Sequence, residues 1–186
     1  MNRFLSDAEL DQLNQVLSER SESDTASKYT IAAFRLLIYT GCRLGEVLSL
    51  KWEDVNLKEN FIHLKDSKVG ERGIPLNDSA KNVILGLQKQ ADNPYVFCGN
   101  KKGTHLFTIQ KTWERIRKQA GIPDVRIHDL RHSFASFALK KGVSLYGVSK
   151  LLGHKNISTT TRYAHLELEE LKKLTNIVDQ AFSNCD

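Results

Sequence analysis

Residues 55–76 read VNLKENFIHLKDSKVGERGIPL. Apolar and polar residues alternate along this stretch and glycines punctuate it, the pattern of a small antiparallel sheet of about three strands. On either side the apolar period is helical. Upstream, Ser6 and Glu9 form a capping-box pattern before LDQLNQVL. After the polar loop SESDTAS comes an apolar helix, YTIAAFRLLIYTG, which Gly41 closes, and a short helix follows over 43–50, ending before Trp52. Downstream, Asn77 caps a helix that runs to about Ala91, and DNPYVFCGNKKG (92–103) reads as a loop with a short extended piece. Helices are expected over 108–119, 128–141, 144–152, 156–164 and 167–182, with a break at Gly121 and Pro123. The fold class is therefore mainly α with a small antiparallel β-sheet.

The composition sets outer bounds. The 186 residues are 40% hydrophobic and 26% charged, enough for a globular unit with a core. A net charge of +5 permits a polyanionic partner without requiring one. No apolar run approaches the ~18 residues of a membrane span. The opening MNRFLSDAEL lacks the layout of a signal peptide. Cys42, Cys98 and Cys185 are odd in number and far apart, which argues against a disulfide framework or a zinc cluster and fits a reducing cytoplasm. No glycine-rich nucleotide loop is present.

Four short segments carry candidate chemistry. In TGCRLGEVLSLKW, Arg43 stands at a helix start and Glu46 lies three residues on, on the same face. Such a carboxylate can fix the arginine fork so that it meets a phosphate. In HDLRHSFAS, His128 and Arg131 share one face of a helix start, where free N–H groups already favour an anion. In LLGHKNISTTTRYAH, Gly153 ends a helix, His154 follows it on a turn, Asn156 or Ser158 can cap the next helix, and Tyr163 comes nine residues after His154. Lys68 stands in the hairpin tip DSKVGERG. Taken singly, each is also what an ordinary solvated or packing residue would look like.

In combination they are more specific. The order Arg, Glu, hairpin Lys, His-x-x-Arg, Gly-His, Tyr resembles the tyrosine recombinase, or phage integrase, family, and the opening FLSDAEL is similar to the usual start of its catalytic domain. The resemblance implies that Arg43 and Arg131 bind the non-bridging oxygens of a scissile DNA phosphate. His128 would serve as an acid-base and hydrogen-bonding group, and His154 would add a phosphate hydrogen bond. Lys68 would be the general acid for the leaving 5′-oxygen and Tyr163 the nucleophile that forms a 3′-phosphotyrosyl intermediate, with Glu46 orienting Arg43. The hairpin is about one residue shorter than is common in the family, so Lys65 rivals Lys68 as the acid.

The chemistry is consistent in itself. In-line attack on a phosphodiester needs a placed nucleophile, neutralised equatorial charge and a protonated leaving group. A phenol of pKa ~10 ionises more readily beside positive charge. The candidate set holds no carboxylate pair for magnesium, so its cations stand in the metal's place and no cofactor is expected. The covalent intermediate conserves bond energy, so ATP is not needed.

The resemblance further implies double-stranded DNA as partner and a homotetramer on synapsed DNA that is a monomer when free. It implies a single catalytic domain over 1–186, with a core to about 165 and a helix over 166–183 exchanged between subunits. A separate N-terminal DNA-clasping domain is expected to be absent. Two alternatives remain open at this point: a type IB topoisomerase that rejoins the same strand, and a non-catalytic DNA-binding module of the same fold. The tail itself can be tested. Leu168, Leu171, Leu174, Ile177, Val178 and Phe182 fall at helical spacings. Truncation after His165 should leave a folded chain that binds DNA but no longer assembles cooperatively, as read by circular dichroism and gel shift. Unfolding instead would place the helix in the chain's own core.

Overall fold

The computed structural model describes residues 3–23, 28–65, 70–154, 156, 158 and 160–164. They belong to two compact units, Met1–Phe134 and Ala135–Asp186.

In the first unit, α1 (Asp7–Ser23) and α2 (Lys28–Thr40) pack together. The capping box is present: the Glu9 N–H donates to Ser6 Oγ at 3.2 Å, and the Ser6 N–H to Glu9 Oε2 at 2.8 Å. Helix α2 is apolar on most sides and buries Ile31, Phe34, Leu36 and Leu37 among α1, α3 (Leu44–Leu48) and α4 (Asp78–Leu85). The helix α5 (Gln110–Gln119) packs on α1. Its fully buried Trp113 meets the Phe34 ring at 5.3 Å and donates its indole N–H to the Val125 carbonyl at 2.9 Å.

Between α3 and α4 lie β1 (Val55–Asn56), β2 (Phe61–Leu64) and β3 (Arg72–Pro75), antiparallel in the order β1-β2-β3. Ile62 pairs with Ile74 and Leu64 with Arg72. Ile62, Leu64 and Ile74 are buried, so by alternation Arg72 stands on the inward register of β3.

Helix α6 (Ile127–Lys140) begins in the first unit and continues into the second. Its first turn is fixed by the buried Asp129 carboxylate, which accepts from the Arg126 backbone N–H at 2.8 Å and from the Arg126 guanidinium at 2.8 and 3.0 Å. In the second unit α7 (Leu145–Leu152) starts at Ser144, whose side chain accepts from the Gly147 N–H. It ends at Gly153, where φ of 64° suits a residue without Cβ.

Two sequence expectations need correction. Helix α4 stops at Leu85 and not near Ala91, because the Gly86 and Leu87 N–H groups fold back onto the Asn82 and Ile84 carbonyls and Leu87 is buried there. Of the helix expected over 156–164, the described residues show a 3₁₀ turn at Thr161–Tyr163, with Ser158 also in 3₁₀ conformation and Ala164 α-helical. The segment is rich in hydroxyl side chains that bond locally and compete with helix: Thr161 Oγ1 donates to the Ser158 carbonyl, and the Asn156 side chain accepts the Ser158 N–H. The tail expected over 167–182 lies outside the described residues.

One hydrogen-bonded link can be tested directly. The buried Ser133 hydroxyl accepts the Leu5 N–H at 2.9 Å and donates to the Asp129 carbonyl at 2.8 Å. Ser133→Ala strands a buried donor and should cost about 1–3 kcal/mol in urea unfolding with an unchanged m-value. No loss would mean that Leu5 finds another acceptor.

Candidate DNA-phosphate site

The site is built around the end of α2. Gly41, at φ 62°, breaks the helix and turns the chain through Cys42 into Arg43, the N-cap of α3. Glu46, one turn on, folds back. Its Oε2 accepts the Arg43 backbone N–H and its Oε1 the Arg43 guanidinium, both at 2.8 Å. A third donor arrives from the sheet, Arg72 Nη2, 2.7 Å from Glu46 Oε2. The Glu46 and Arg72 side chains are 9% and 10% exposed, against 29% for Arg43. Burial pushes the Glu46 carboxyl up, but the Arg43 N–H, the Arg72 charge and the guanidinium hydrogen bonds outweigh it and hold it below its ordinary 4.5.

Arg131 comes in from α6. It is 5% exposed, and its Nη1 donates to the Gly41 carbonyl at 2.7 Å. Burial, followed by the charges of Arg43 and Arg72, pushes its guanidinium down to about 10. Arg43 and Arg131, far apart in sequence, thus share one electropositive cluster. Arg72 completes it, a residue the sequence reading passed over. The inward alternation of Ile74 and Leu76 extends to position 72, and a charged residue on that register needs a buried partner. Cys42, also buried, has its thiol pushed up to about 11 by burial, so it is a packing group.

The other expected residues fall as follows. His128 is exposed on the first turn of α6, with its ring 4.8 Å from that of the buried His132 in an edge-on arrangement. Lys68 lies outside the described residues. Lys65, exposed just after β2, lines a cleft of about 230 Å³ together with Glu46, Lys51, Glu53, Asp54 and Tyr95. In the second unit, His154 Nδ1 lies 2.7 Å from the hydroxyl of the fully buried Thr160. The Thr160 carbonyl in turn accepts the Tyr163 N–H at 3.0 Å. Thr160 therefore ties the Gly-His turn to the tyrosine turn, and Tyr163 is 2% exposed. Among the described residues no three His, Cys, Asp or Glu side chains gather as a metal site, and no helix is long and apolar enough to cross a membrane.

The phage integrase family profile matches residues 3–170, and the chain belongs to that family. It is 37% identical over 143 residues to the tyrosine recombinase XerA of Saccharolobus solfataricus, covering 74% of this chain and 46% of that protein. Among solved structures it matches a XerA recombinase (TM-score 0.76, 29% identity) over 95% of this chain and 65% of that one. It also matches the XerH site-specific recombinase bound to its difH substrate in a pre-cleavage complex (TM-score 0.73, 25% identity), over 91% of this chain and 51% of that one. The fold is that of a tyrosine recombinase catalytic domain, and the chain spans about half the length of the curated relative it matches at 46%.

The shared carboxylate gives the site a pH signature. Because the Glu46 pKa is lowered in the folded chain, its stabilisation is fully present above 4.5 and disappears as pH falls through the folded value. Glu46→Gln should cost about 3–5 kcal/mol at neutral pH. The gap to wild type should narrow below 4.5, measured by urea unfolding at pH 7 and pH 3. A gap independent of pH would show that the charge of Glu46 holds nothing.

Proposed function

We propose that this chain is the catalytic part of a site-specific DNA recombinase that cuts and rejoins duplex DNA through a 3′-phosphotyrosyl bond. One observation carries the reading. The buried Arg131 feels the charges of Arg43 and Arg72, so three guanidiniums gather at one place, two of them bound to Glu46. A cluster built at that cost is suited to an anion with several equatorial oxygens. In the reaction Arg43 and Arg131 hold the non-bridging oxygens, with His128 and His154 adding hydrogen bonds. The Tyr163 phenol oxygen attacks phosphorus as its proton passes to His128, the acid-base group. The bond to the 5′-oxygen breaks, and Lys68 or Lys65 protonates that leaving group. Rejoining reverses these steps, so no energy source is consumed.

Because Tyr163 is 2% exposed, the Thr161–Tyr163 turn has to open before attack. Membership of a family with a DNA-engaged relative such as XerH supports duplex DNA as the substrate. The reading also includes a cytoplasmic protein, a catalytic domain that spans the chain, and a tetramer on synapsed DNA joined through residues 166–183.

Incubation with nicked duplexes from a randomised pool should trap a covalent adduct and reveal the site by sequencing. Mass spectrometry should place the DNA on Tyr163, and adduct should form in EDTA. Tyr163→Phe should bind DNA without forming adduct. Arg131→Ala should slow cleavage by on the order of 10²–10³-fold, well beyond its effect on binding. An adduct that persists in Tyr163→Phe, or that requires magnesium, would overturn the assignment.

A further inference from the structure

We infer that Arg72 is a positioning residue of this site, which acts through Glu46 to set the fork of Arg43. This rests on the reading of Arg43 as a phosphate ligand. A carboxylate that binds one guanidinium still rotates about its side-chain bonds. Glu46 has both oxygens engaged: Oε1 by Arg43, and Oε2 by the Arg43 backbone N–H and Arg72 Nη2. The third donor removes the remaining freedom, as an outer partner does for a metal ligand.

Its place in the sheet suits this role. Arg72 sits on the inward register of β3, opposite Leu64 and 10% exposed, while Arg43 is more open at 29%. The Phe61 ring covers Gly73 and leaves no room there for a Cβ, which pins the register of β3 against β2. The paired residues Leu64 and Arg72 are also the last before the segment 65–71, which carries both candidate acids, Lys65 and Lys68. The contact that orients the first phosphate ligand therefore lies at the strand ends that lead into that segment. Lysine would keep the charge but lose the planar fork.

The test uses the full chain with ¹⁵N-arginine, in wild-type, Arg72→Gln and Arg72→Lys forms. The first readout is the Arg43 Nε–Hε signal in the free protein and its titration with inorganic phosphate. The second is single-turnover cleavage, set against binding, on a duplex recovered from the randomised pool. Arg72→Gln should move the Arg43 signal toward that of a free guanidinium, weaken phosphate at Arg43 by about 10-fold and slow cleavage by ~10–100-fold. DNA affinity should stay within ~3-fold, with an unchanged salt slope. Arg72→Lys should recover part of the loss.

An unmoved Arg43 signal with an unchanged rate overturns the inference. So does a loss of DNA affinity with a salt slope shallower by about 0.9, which would make Arg72 a phosphate contact in its own right. Should Arg72→Gln not fold, Arg72→Lys decides: a displaced Arg43 signal supports the role, and an unmoved one rejects it. The phosphate arm needs no DNA chemistry. A wild-type chain that forms no Tyr163 adduct therefore counts against the proposed reaction alone.

Discussion

The first unit is organised around a single carboxylate that serves two guanidiniums while a third lies close by. Two like charges ~5 Å apart repel by on the order of 3 kcal/mol at an effective dielectric of ~20. Gathering Arg43, Arg72 and Arg131 therefore opposes folding unless something offsets it. Glu46 supplies one full negative charge from a buried position. The second offset is less obvious. Arg131 donates to the Gly41 carbonyl, at the end of a 13-residue helix whose last carbonyls carry partial negative charge. Terminating α2 at Gly41 thus both ends a helix and feeds a buried cation.

Such a cluster holds its geometry only if each contributing element is fixed independently. The N-cap of α3 follows from the Gly41 turn and the back-folded Glu46. The β3 register is pinned by Ile62 against Ile74 and by the ring over Gly73. The start of α6 is clamped by the buried Asp129 and by Ser133, which reaches the chain near its beginning at Leu5. Apart from the Glu46 carboxylate, these devices use no charge of the cluster itself. That separation lets a repulsive group of side chains persist in a stable unit.

The same division explains what could be read from the sequence. Local devices leave local marks, so the Ser6–Glu9 box, the Asn77 cap, the Gly41 and Gly153 stops and the three-strand alternation were all visible. So were Arg43 with Glu46 and His128 with Arg131, because each pair lies within one helical turn. Arg72 was not, since its meaning depends on a partner 26 residues away. Thr160 was hidden for another reason: in a run of hydroxyl residues nothing distinguishes the one that turns inward to His154. Those hydroxyls also defeated the helix expected over 156–164, where side-chain bonds to nearby backbone replaced the helical ladder. The early end of α4 depended on the burial of Leu87, a tertiary contact that no local pattern encodes.

The second unit holds its chemistry differently. A buried threonine links His154 and Tyr163, through its hydroxyl on one side and its carbonyl on the other. Among the bonds that hold the tyrosine turn are the Thr160 carbonyl to the Tyr163 N–H, and the Thr161 hydroxyl to Ser158. At about 0.5–1.5 kcal/mol each, they can be given up at modest cost when a stronger set of contacts is on offer. Within the proposed reaction the first unit has to be rigid before DNA binds, because a preorganised cation cluster is effective only if it does not relax. Tyr163, the proposed nucleophile, is 2% exposed and has to be released from its turn. Within the proposed reaction, the arginines and the tyrosine therefore make opposite demands on stability, which is a physical reason for the chain to place them on differently fastened elements.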